Sequence, residues 1–547
     1  MKKSFLLLFC SYLLVGQLNA DNYPKNPDID ILHYRFELIL SDNKDIIRGS
    51  ATLYILFKVK GLKKIRLDLV NKDDTSEGKG MEVSKVTLNG RTQKYVHREN
   101  VLTIVLDQPS RVNQVISLTI DYYGVPASGL KIAPNKYGDR TFFSDNWPNR
   151  ARHWLPTIDH PYEKATSEMI VIAPNHYQVI SNGLLVEESN LNDGLKRTHW
   201  KQAVPISCWL YVLGVAEFAI QYVDTFEDKS IQTWVYKQDR EAGFYDFAVP
   251  TKHTLQFFSD YVGPFAYEKL ANIQSNSVGG GMEAATAIFY GDNSVTGKRT
   301  SRWRNVIIHE VAHQWFGNAV TEYDWDDVWL SEGFATYFTL LFREHAYGRE
   351  DFVSGLISSR ERVFDYYEDH KNYRIVHNNL SDMSQVTSGQ TYQKGAWILH
   401  MLRNLIGDEK FQEAIRNYYS RYMNSNATTD DFKHEMEVVS GLDLDMFFNQ
   451  WLYQGGHIIL DGSWKYDDKK KEIIIDIQQV QNDGYLFSFP IEFGIYEEGK
   501  VAPNVEQRSV SKRESSYSIP TKLKPKKVSI DPRTVLLANW SFTERTN

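Results

Sequence analysis

Hydrophobic and polar residues alternate along the first third of the chain, as they do in strands that bury one face. From Tyr34 to Leu40 every second residue is apolar, and most residues between them are polar. The same period of two recurs in residues 53–57, 65–69, 102–106 and 116–122. This period indicates β-strands, and Asn89-Gly90 between two apolar runs indicates a tight hairpin. The pattern predicts an all-β domain of curved or packed antiparallel sheets over residues 21–216.

Helical periodicity replaces this pattern from residue 217 onward. Apolar positions three and four residues apart mark segments 251–262, 301–347 and 395–422. Thr428 followed by Asp431 indicates the capped start of a further helix. Residues 217–456 are therefore predicted to form a mostly α domain.

Short strands return in the last part of the chain. The runs GSWKY and EIIIDIQQV flank the polar turn DDKK, and this pattern over residues 457–547 predicts a small β-sandwich. A chain of 547 residues is too long for one core, which rarely exceeds about 300 residues. The predicted fold class is thus a multidomain α+β protein.

The amino terminus resembles a secretory signal peptide. Two lysines precede a short apolar run, and Ala20 offers a small residue for cleavage after residues 1–20. A membrane anchor is the alternative, but the run is shorter than the roughly twenty residues that a span needs. Lipid modification of Cys10 is disfavoured by the bulky Phe9 before it. We expect export to the periplasm or the medium, with no stable membrane span after cleavage.

Charge and cysteine content narrow the possible partners and the compartment. A net charge of -7 and a pI near 6.1 give no basic field, which disfavours nucleic acid as a partner. Cys208 is the single cysteine beyond the signal peptide, so an internal disulfide is excluded. A single cysteine fits a bacterial exported protein. The apolar residues around Cys208 predict that its thiol is packed within a strand.

The segment NVIIHEVAHQWFGN, which begins at residue 305, carries the strongest candidate chemistry. Its apolar residues predict a buried helix that stops at the Gly-Asn pair. His309 and His313 lie one turn apart on such a helix, so both imidazoles can reach one metal ion. The alternative is a helix with surface histidines. The apolar neighbours disfavour it, because they would bury both rings, and buried polar groups need partners.

A third metal ligand is expected from a second helix. Zinc in hydrolytic sites keeps three protein ligands and one open position. Glu332 follows His313 after eighteen residues, at the start of another helical segment. That interval leaves room for a loop and a returning helix. The sequence therefore predicts one zinc ion per chain, bound by His309, His313 and Glu332.

Residues 279–286, which read GGGMEAAT, form a second candidate motif. Glycines let a ligand approach the backbone closely, and the carboxylate of Glu283 follows them. Taken alone, a glycine run is more often a surface turn. Its place about 26 residues before HEVAH resembles the GxMEN motif of exopeptidases.

With PISCWLYVLGVAEF and TYQKGAWIL, these motifs make the chain similar to the aminopeptidase N family of gluzincin metallopeptidases. The resemblance covers residues 27–457 and implies a thermolysin-like peptidase domain over residues 217–456. The C-terminal sandwich would match the third domain of the shorter members. The large helical terminal domain of the longer members is expected to be absent.

The resemblance also implies a role for each motif residue. Glu310 would be the general base, and Glu283 would bind the free α-amino group of the substrate. Tyr392 would stabilise the oxyanion. Met282 would line the pocket for the first side chain, while Gly280 and Gly281 would hold peptide backbone.

Two positions depart from the family pattern. Ala284 replaces the usual Asn after the motif glutamate, which changes the polar surroundings of the substrate amine. Many members carry a Gln upstream of the ARxxxP segment, whereas Asp145 lies there in this chain. Asp145 is therefore a further candidate for substrate binding.

The predicted function is a zinc aminopeptidase acting on peptides with free N-termini. An endopeptidase is the alternative with the same chemistry, and Glu283 favours the aminopeptidase because a carboxylate suits a substrate amine. A non-catalytic binding protein would have lost a ligand or the base, and all four residues are present. An epoxide-hydrolase side activity, the preferred N-terminal residue and the oligomeric state stay open.

Overall fold

The computed structural model describes residues 21–72, 77–377, 380, 382–482 and 484–545. The predicted signal peptide, residues 1–20, lies outside them. Within these ranges no helix combines the length and the apolar character that a membrane crossing requires.

The first domain consists of β-strands. They are β1 (Ile29–Ser41), β2 (Lys44–Phe57), β3 (Lys64–Asp68), β4 (Gly80–Leu88), β5 (Arg91–Thr92), β6 (Lys94–Arg98), β7 (Val101–Val105), β8 (Gln114–Val125), β9 (Leu130–Pro134), β10 (Arg140–Ser144), β11 (Lys164–Pro174), β12 (Gln178–Ser181), β13 (Leu184–Asn190), β14 (Leu195–Ser207) and β15 (Leu213–Ala216). The largest sheet has the order β13-β14-β11-β1-β2-β8-β4-β5, beside sheets β12-β15-β10-β9 and β3-β7-β6. Tyr34, Phe36, Leu38 and Leu40 are buried, so the alternation predicted the core face, and the N-terminal β domain is confirmed.

Local features of this domain confirm one expectation and correct two. Asn89 and Gly90, both with positive φ, turn the chain between β4 and β5 as predicted. The expectation of antiparallel sheets is wrong for β1 and β11, which pair in parallel, because the long connection between them allows a crossover. Cys208 is buried in a short 3-10 turn after β14 and not in a strand. Its Sγ lies 3.1 Å from Asp159 Oδ1.

The second domain begins with a mixed sheet and continues as helices. Its strands are β16 (Phe218–Phe226), β17 (Lys229–Tyr236), β18 (Lys269–Ser275), β19 (Gly281–Met282), β20 (Ala287–Gly291), β21 (Val320–Glu322) and β22 (Ser425–Ala427). Its helices are α1 (Arg240–Phe247), α2 (Thr251–Tyr261), α3 (Ser301–His313), α4 (Trp329–Tyr347), α5 (Arg349–Asp369), α6 (Gly389–Ile406), α7 (Asp408–Tyr422), α8 (Thr429–Ser440) and α9 (Asp445–Phe448). The order β16-β17-β18-β20-β19 places β19 at the sheet edge next to α3.

The helical prediction is confirmed for this domain, including its cap signal. Thr428 accepts a hydrogen bond from the Asp431 N–H, and the Asp431 carboxylate accepts one from the Thr428 N–H. The mixed sheet was not predicted. Every residue of β18 is buried, so the strand has no alternation to reveal it.

The third domain returns to β-structure. Its strands are β23 (Ile458–Asp467), β24 (Glu472–Gln479), β25 (Phe489–Tyr496), β26 (Asn504–Val510), β27 (Glu514–Pro520), β28 (Lys527–Ile530) and β29 (Ala538–Glu544). They form sheets in the orders β27-β24-β23-β29 and β26-β25-β28. Phe493 of the second sheet lies 5.8 Å from Tyr517 and 6.4 Å from Phe542 of the first, between ring centroids. The domain is therefore β, and its description as a sandwich stays a prediction.

Candidate active site

Helix α3 brings the two motif histidines together. The Nε2 atoms of His309 and His313 lie 3.1 Å apart. His313 is buried, and its Nδ1 lies 3.1 Å from the Phe316 carbonyl oxygen. Because a carbonyl oxygen only accepts, Nδ1 carries the proton and donates it, which leaves the Nε2 lone pair for a metal ion.

Glu332, in the first turn of α4, faces this pair. Its Oε2 atom lies 3.4 Å from His309 Nε2 and 3.3 Å from His313 Nε2. The turn after α3 depends on Gly317, which has φ +106° and no room for a side chain, since a Cβ would lie 2.2 Å from Ser331 Oγ. A tight turn and a returning helix therefore bring Glu332, the predicted third ligand, to the two histidines.

Helices α4 and α6 touch through glycines. A Cβ added to Gly333 would lie 2.9 Å from Gly395 Cα. This contact brings Tyr392 to the ligand set, where its hydroxyl donates to Glu332 Oε1 at 2.7 Å.

The glycine motif lies against the other side of α3. A Cβ on Gly281 would lie 2.1 Å from Glu310 Oε1, so the glycine allows this carboxylate to keep its present position. The Glu283 carbonyl oxygen accepts hydrogen bonds from Gln314 Nε2 at 3.0 Å and Asn318 Nδ2 at 2.6 Å. Two side chains thus fix the backbone of Glu283, whose Oε1 is buried without a hydrogen-bond partner.

The site concentrates buried charge. Ligand atoms of Glu283, Glu310 and His313 also lie within 4.8 Å of one another. Burial raises the pKa of Glu283 to about 7, and burial and the nearby Glu283 raise the pKa of Glu310. Burial alone would also raise the pKa of Glu332, but His313 and His309 outweigh it and lower this pKa to about 2. Because the carboxylates of Glu283 and Glu310 lie so close together, a cation bound between them would relieve their repulsion.

A cavity of about 640 Å³ gathers most of the predicted residues. Those that line it are Gly281, Glu283, His309, Glu310, His313, Glu332 and Tyr392. Gly280 and Met282 are not part of its lining, and Met282 is buried and pairs with Phe289. The Asp145 carboxylate also lies outside, where it forms an ion pair of 2.6 Å with Arg150. Ala284 is buried.

The cavity also contains residues that the sequence motifs did not identify. Arg302, Arg343 and Arg362 line it from α3, α4 and α5. Arg302 lies seven residues before His309, so two helical turns place it on the same face. That spacing was readable from the sequence, whereas the position of Arg362 depends on how α5 packs.

Comparisons with known proteins agree with this geometry. The sequence model of the Peptidase M1 N-terminal domain matches residues 31–210, and that of the Peptidase family M1 domain matches residues 247–451. Glutamyl aminopeptidase of Bos taurus is 30% identical over 370 residues, which cover 64% of this chain and 38% of that protein. Aminopeptidase M1 of Arabidopsis thaliana is 29% identical over 338 residues, which cover 60% of this chain and 38% of that protein. The matched part thus spans less than half of these relatives.

A solved structure supports the fold. The crystal structure of an M1 zinc metallopeptidase from Deinococcus radiodurans has a TM-score of 0.66 and 23% sequence identity, over 78% of this chain and 94% of that one. The two family matches follow each other in chain order and cover both the β domain and the domain that holds the HEVAH helix. This chain therefore belongs to the M1 family of zinc metallopeptidases, as its resemblance to aminopeptidase N predicted.

Proposed function

We propose that this protein is a zinc-dependent aminopeptidase that hydrolyses N-terminal residues from peptides. The observation that carries the proposal is one cavity that holds both a three-ligand metal set and the buried Glu283 carboxylate. Relatives named as aminopeptidases support the same activity.

The residues fit one zinc ion. Two imidazole nitrogens and one carboxylate oxygen suit hydrolytic zinc, and such atoms of His309, His313 and Glu332 lie within 4.8 Å of one another. Glu332 Oε2 is buried without a hydrogen-bond partner, as an atom reserved for a ligand would be. When bound, zinc supplies a Lewis acid that polarises a carbonyl group and lowers the pKa of a water molecule.

The general base in this proposal is Glu310. Its carboxylate lies beside the ligand set and against Gly281. It accepts a proton from the attacking water and passes that proton to the leaving amine. Tyr392 projects from α6 beside Glu332, where its hydroxyl can donate to the carbonyl oxygen as negative charge develops there.

Glu283 selects substrates with a free N-terminus. Its unpartnered Oε1 faces a site in which carboxylates crowd one another, and a substrate ammonium would relieve that repulsion. A charge-assisted hydrogen bond of this kind contributes about 1.5 to 3 kcal/mol. An acetylated N-terminus carries no charge and cannot supply it.

The test compares one peptide with a free and an acetylated N-terminus. Wild type should cleave the free form at least tenfold faster, and Glu283→Ala should lose most of that preference while it keeps its zinc. Glu283→Gln is the matched variant, since it preserves the shape and removes the charge. Equal cleavage of both peptides by wild type would show an endopeptidase instead and end the proposal.

Export belongs to the same proposal. The basic and apolar start of the chain supports cleavage after residues 1–20 and delivery to the periplasm or the medium. Mass spectrometry of the mature protein should find Asp21 as the first residue, and a retained leader would contradict this. The thermolysin-like catalytic domain and the C-terminal sandwich are also part of the proposal.

A further inference from the structure

Two arginines in the active-site cavity lack an acidic partner. Arg302 and Arg362 line the cavity, and both are exposed. Arg343 also lines it but forms an ion pair with Asp351 at 2.5 Å. Within the described ranges of the chain, neither Arg302 nor Arg362 has such a pair. A guanidinium group that forms no ion pair with an acidic residue is suited to bind a carboxylate in bidentate geometry.

Helix geometry fixes where Arg302 lies. It precedes His309 by seven residues, which is about 10 Å along α3. Helix α4 runs back beside α3, since Arg304 lies 4.0 Å from the ring centroid of Tyr347. Arg302 is therefore at the end of the cavity away from His313.

Arg362 enters the cavity from another helix. It follows Ser359 by three residues on α5, and the Ser359 hydroxyl donates to Gln393 Oε1 at 2.7 Å. Gln393 is the neighbour of Tyr392 on α6. Arg362 thus approaches the cavity from the side where α5 packs against α6.

The cavity therefore combines an acidic and a basic region. Glu283 suits the ammonium end of a peptide, and the arginines suit an anionic group beyond the cleaved bond. An extended chain covers about 3.3 to 3.6 Å per residue. Two residues after the cleaved bond, together with the length of an arginine side chain, bridge the distance from the ligands to Arg302.

We infer that Arg302 and Arg362 bind a carboxylate on the leaving side of the cleaved bond. The inference rests on the proposed aminopeptidase function and adds a substrate class to it. That class is short peptides whose C-terminal carboxylate, or an acidic side chain next to the cleaved bond, reaches these guanidinium groups.

The test uses trialanine with a free and an amidated C-terminus. Wild type should favour the free acid about three- to fivefold in kcat/KM, mainly through KM, as expected for a solvent-exposed ion pair. The preference should shrink in high salt. It should fall in Arg302→Gln and in Arg362→Gln and approach one in the double variant. Arg240→Gln, an exposed arginine outside the cavity, should keep it.

A second pair of peptides separates the two sources of the carboxylate. Ala-Asp-Ala amide and Ala-Asn-Ala amide differ only in the charge of the residue after the cleaved bond. If wild type prefers the Asp peptide and the arginine variants do not, the arginines bind the acidic side chain. If wild type prefers only the peptide with the free C-terminus, the arginines bind the carboxylate at the end of the chain. Either result supports the inference.

Other outcomes overturn it. Equal rates for both members of both pairs on wild type would show that no carboxylate is recognised. A preference that survives in the double variant would exclude these arginines. Alanyl-aminomethylcoumarin reports on the proposed function alone, because it carries no carboxylate. Its turnover by wild type, without any preference among the peptides, would refute this inference and leave the aminopeptidase proposal intact.

Discussion

Gly281→Ala is the sharpest test of how the glycine motif positions Glu310, the proposed general base. The new Cβ would lie 2.1 Å from Glu310 Oε1 and 2.3 Å from its Cδ, whereas ordinary contacts begin near 3.4 Å. The Glu310 carboxylate must therefore retreat by more than about 1 Å, and a misplacement of that size costs about a hundredfold in rate. We expect kcat to fall by about this factor while KM changes little.

The assay is steady-state hydrolysis of alanyl-aminomethylcoumarin, with zinc content and melting temperature measured on the same preparations. Gly279→Ala is the matched control, because its Cβ would meet no atom within 4 Å. Zinc content should stay at the wild-type level in both variants. In the double variant Gly281→Ala, Glu310→Gln, the loss should not exceed that of Glu310→Gln alone. A Gly281→Ala enzyme within threefold of wild-type kcat would refute the reasoning.

Three further predictions follow from the same structure. Tyr392→Phe should lower kcat by about a hundredfold with little change in KM, and a change confined to KM in steady-state kinetics would indicate a packing role. Chelation should abolish activity and lower the melting temperature, and one equivalent of zinc should restore both; activity in metal-free protein would contradict the metal assignment. Burial raises the pKa of Glu163 from 4.5 to about 8. Between these two values the folded protein keeps Glu163 protonated while the unfolded chain has lost the proton, so stability should fall as pH rises from 4.5 to 8. Glu163→Gln should flatten that slope in thermal melts, and an unchanged slope would assign the effect to other groups.

The parts of the fold that were predictable are those whose signal is local. The alternation from Tyr34 to Leu40 reports one buried face, and the Asn89-Gly90 pair reports a turn that positive φ requires. β18 gave no such signal, because both of its faces are buried. The parallel pairing of β1 with β11 was also out of reach, since nothing within either strand records its distant neighbour.

The same distinction holds at the active site. The closeness of His309 and His313 follows from helical geometry alone, so spacing predicted it. Glu332 was predicted from its spacing after His313, which leaves room for a loop and a returning helix, although the turn itself is a tertiary feature. The contact between Gly281 and Glu310 joins a sheet edge to a helix, and the position of Arg362 depends on helix packing. Such contacts are tertiary, and a single sequence carries no direct record of them.

The glycine contact between α4 and α6 sets the mutational tolerance of this enzyme. Gly333 and Gly395 do not line the cavity, yet a single methyl group at either one would push the two helices apart. Glu332 lies on α4 and Tyr392 on α6. A separation of the two helices would therefore move the Tyr392 hydroxyl away from the Glu332 carboxylate. A saturation scan should therefore rank these two positions among the least tolerant in the domain. A second substitution on the facing helix cannot relieve the clash, because the new Cβ would meet backbone atoms of that helix and not a side chain.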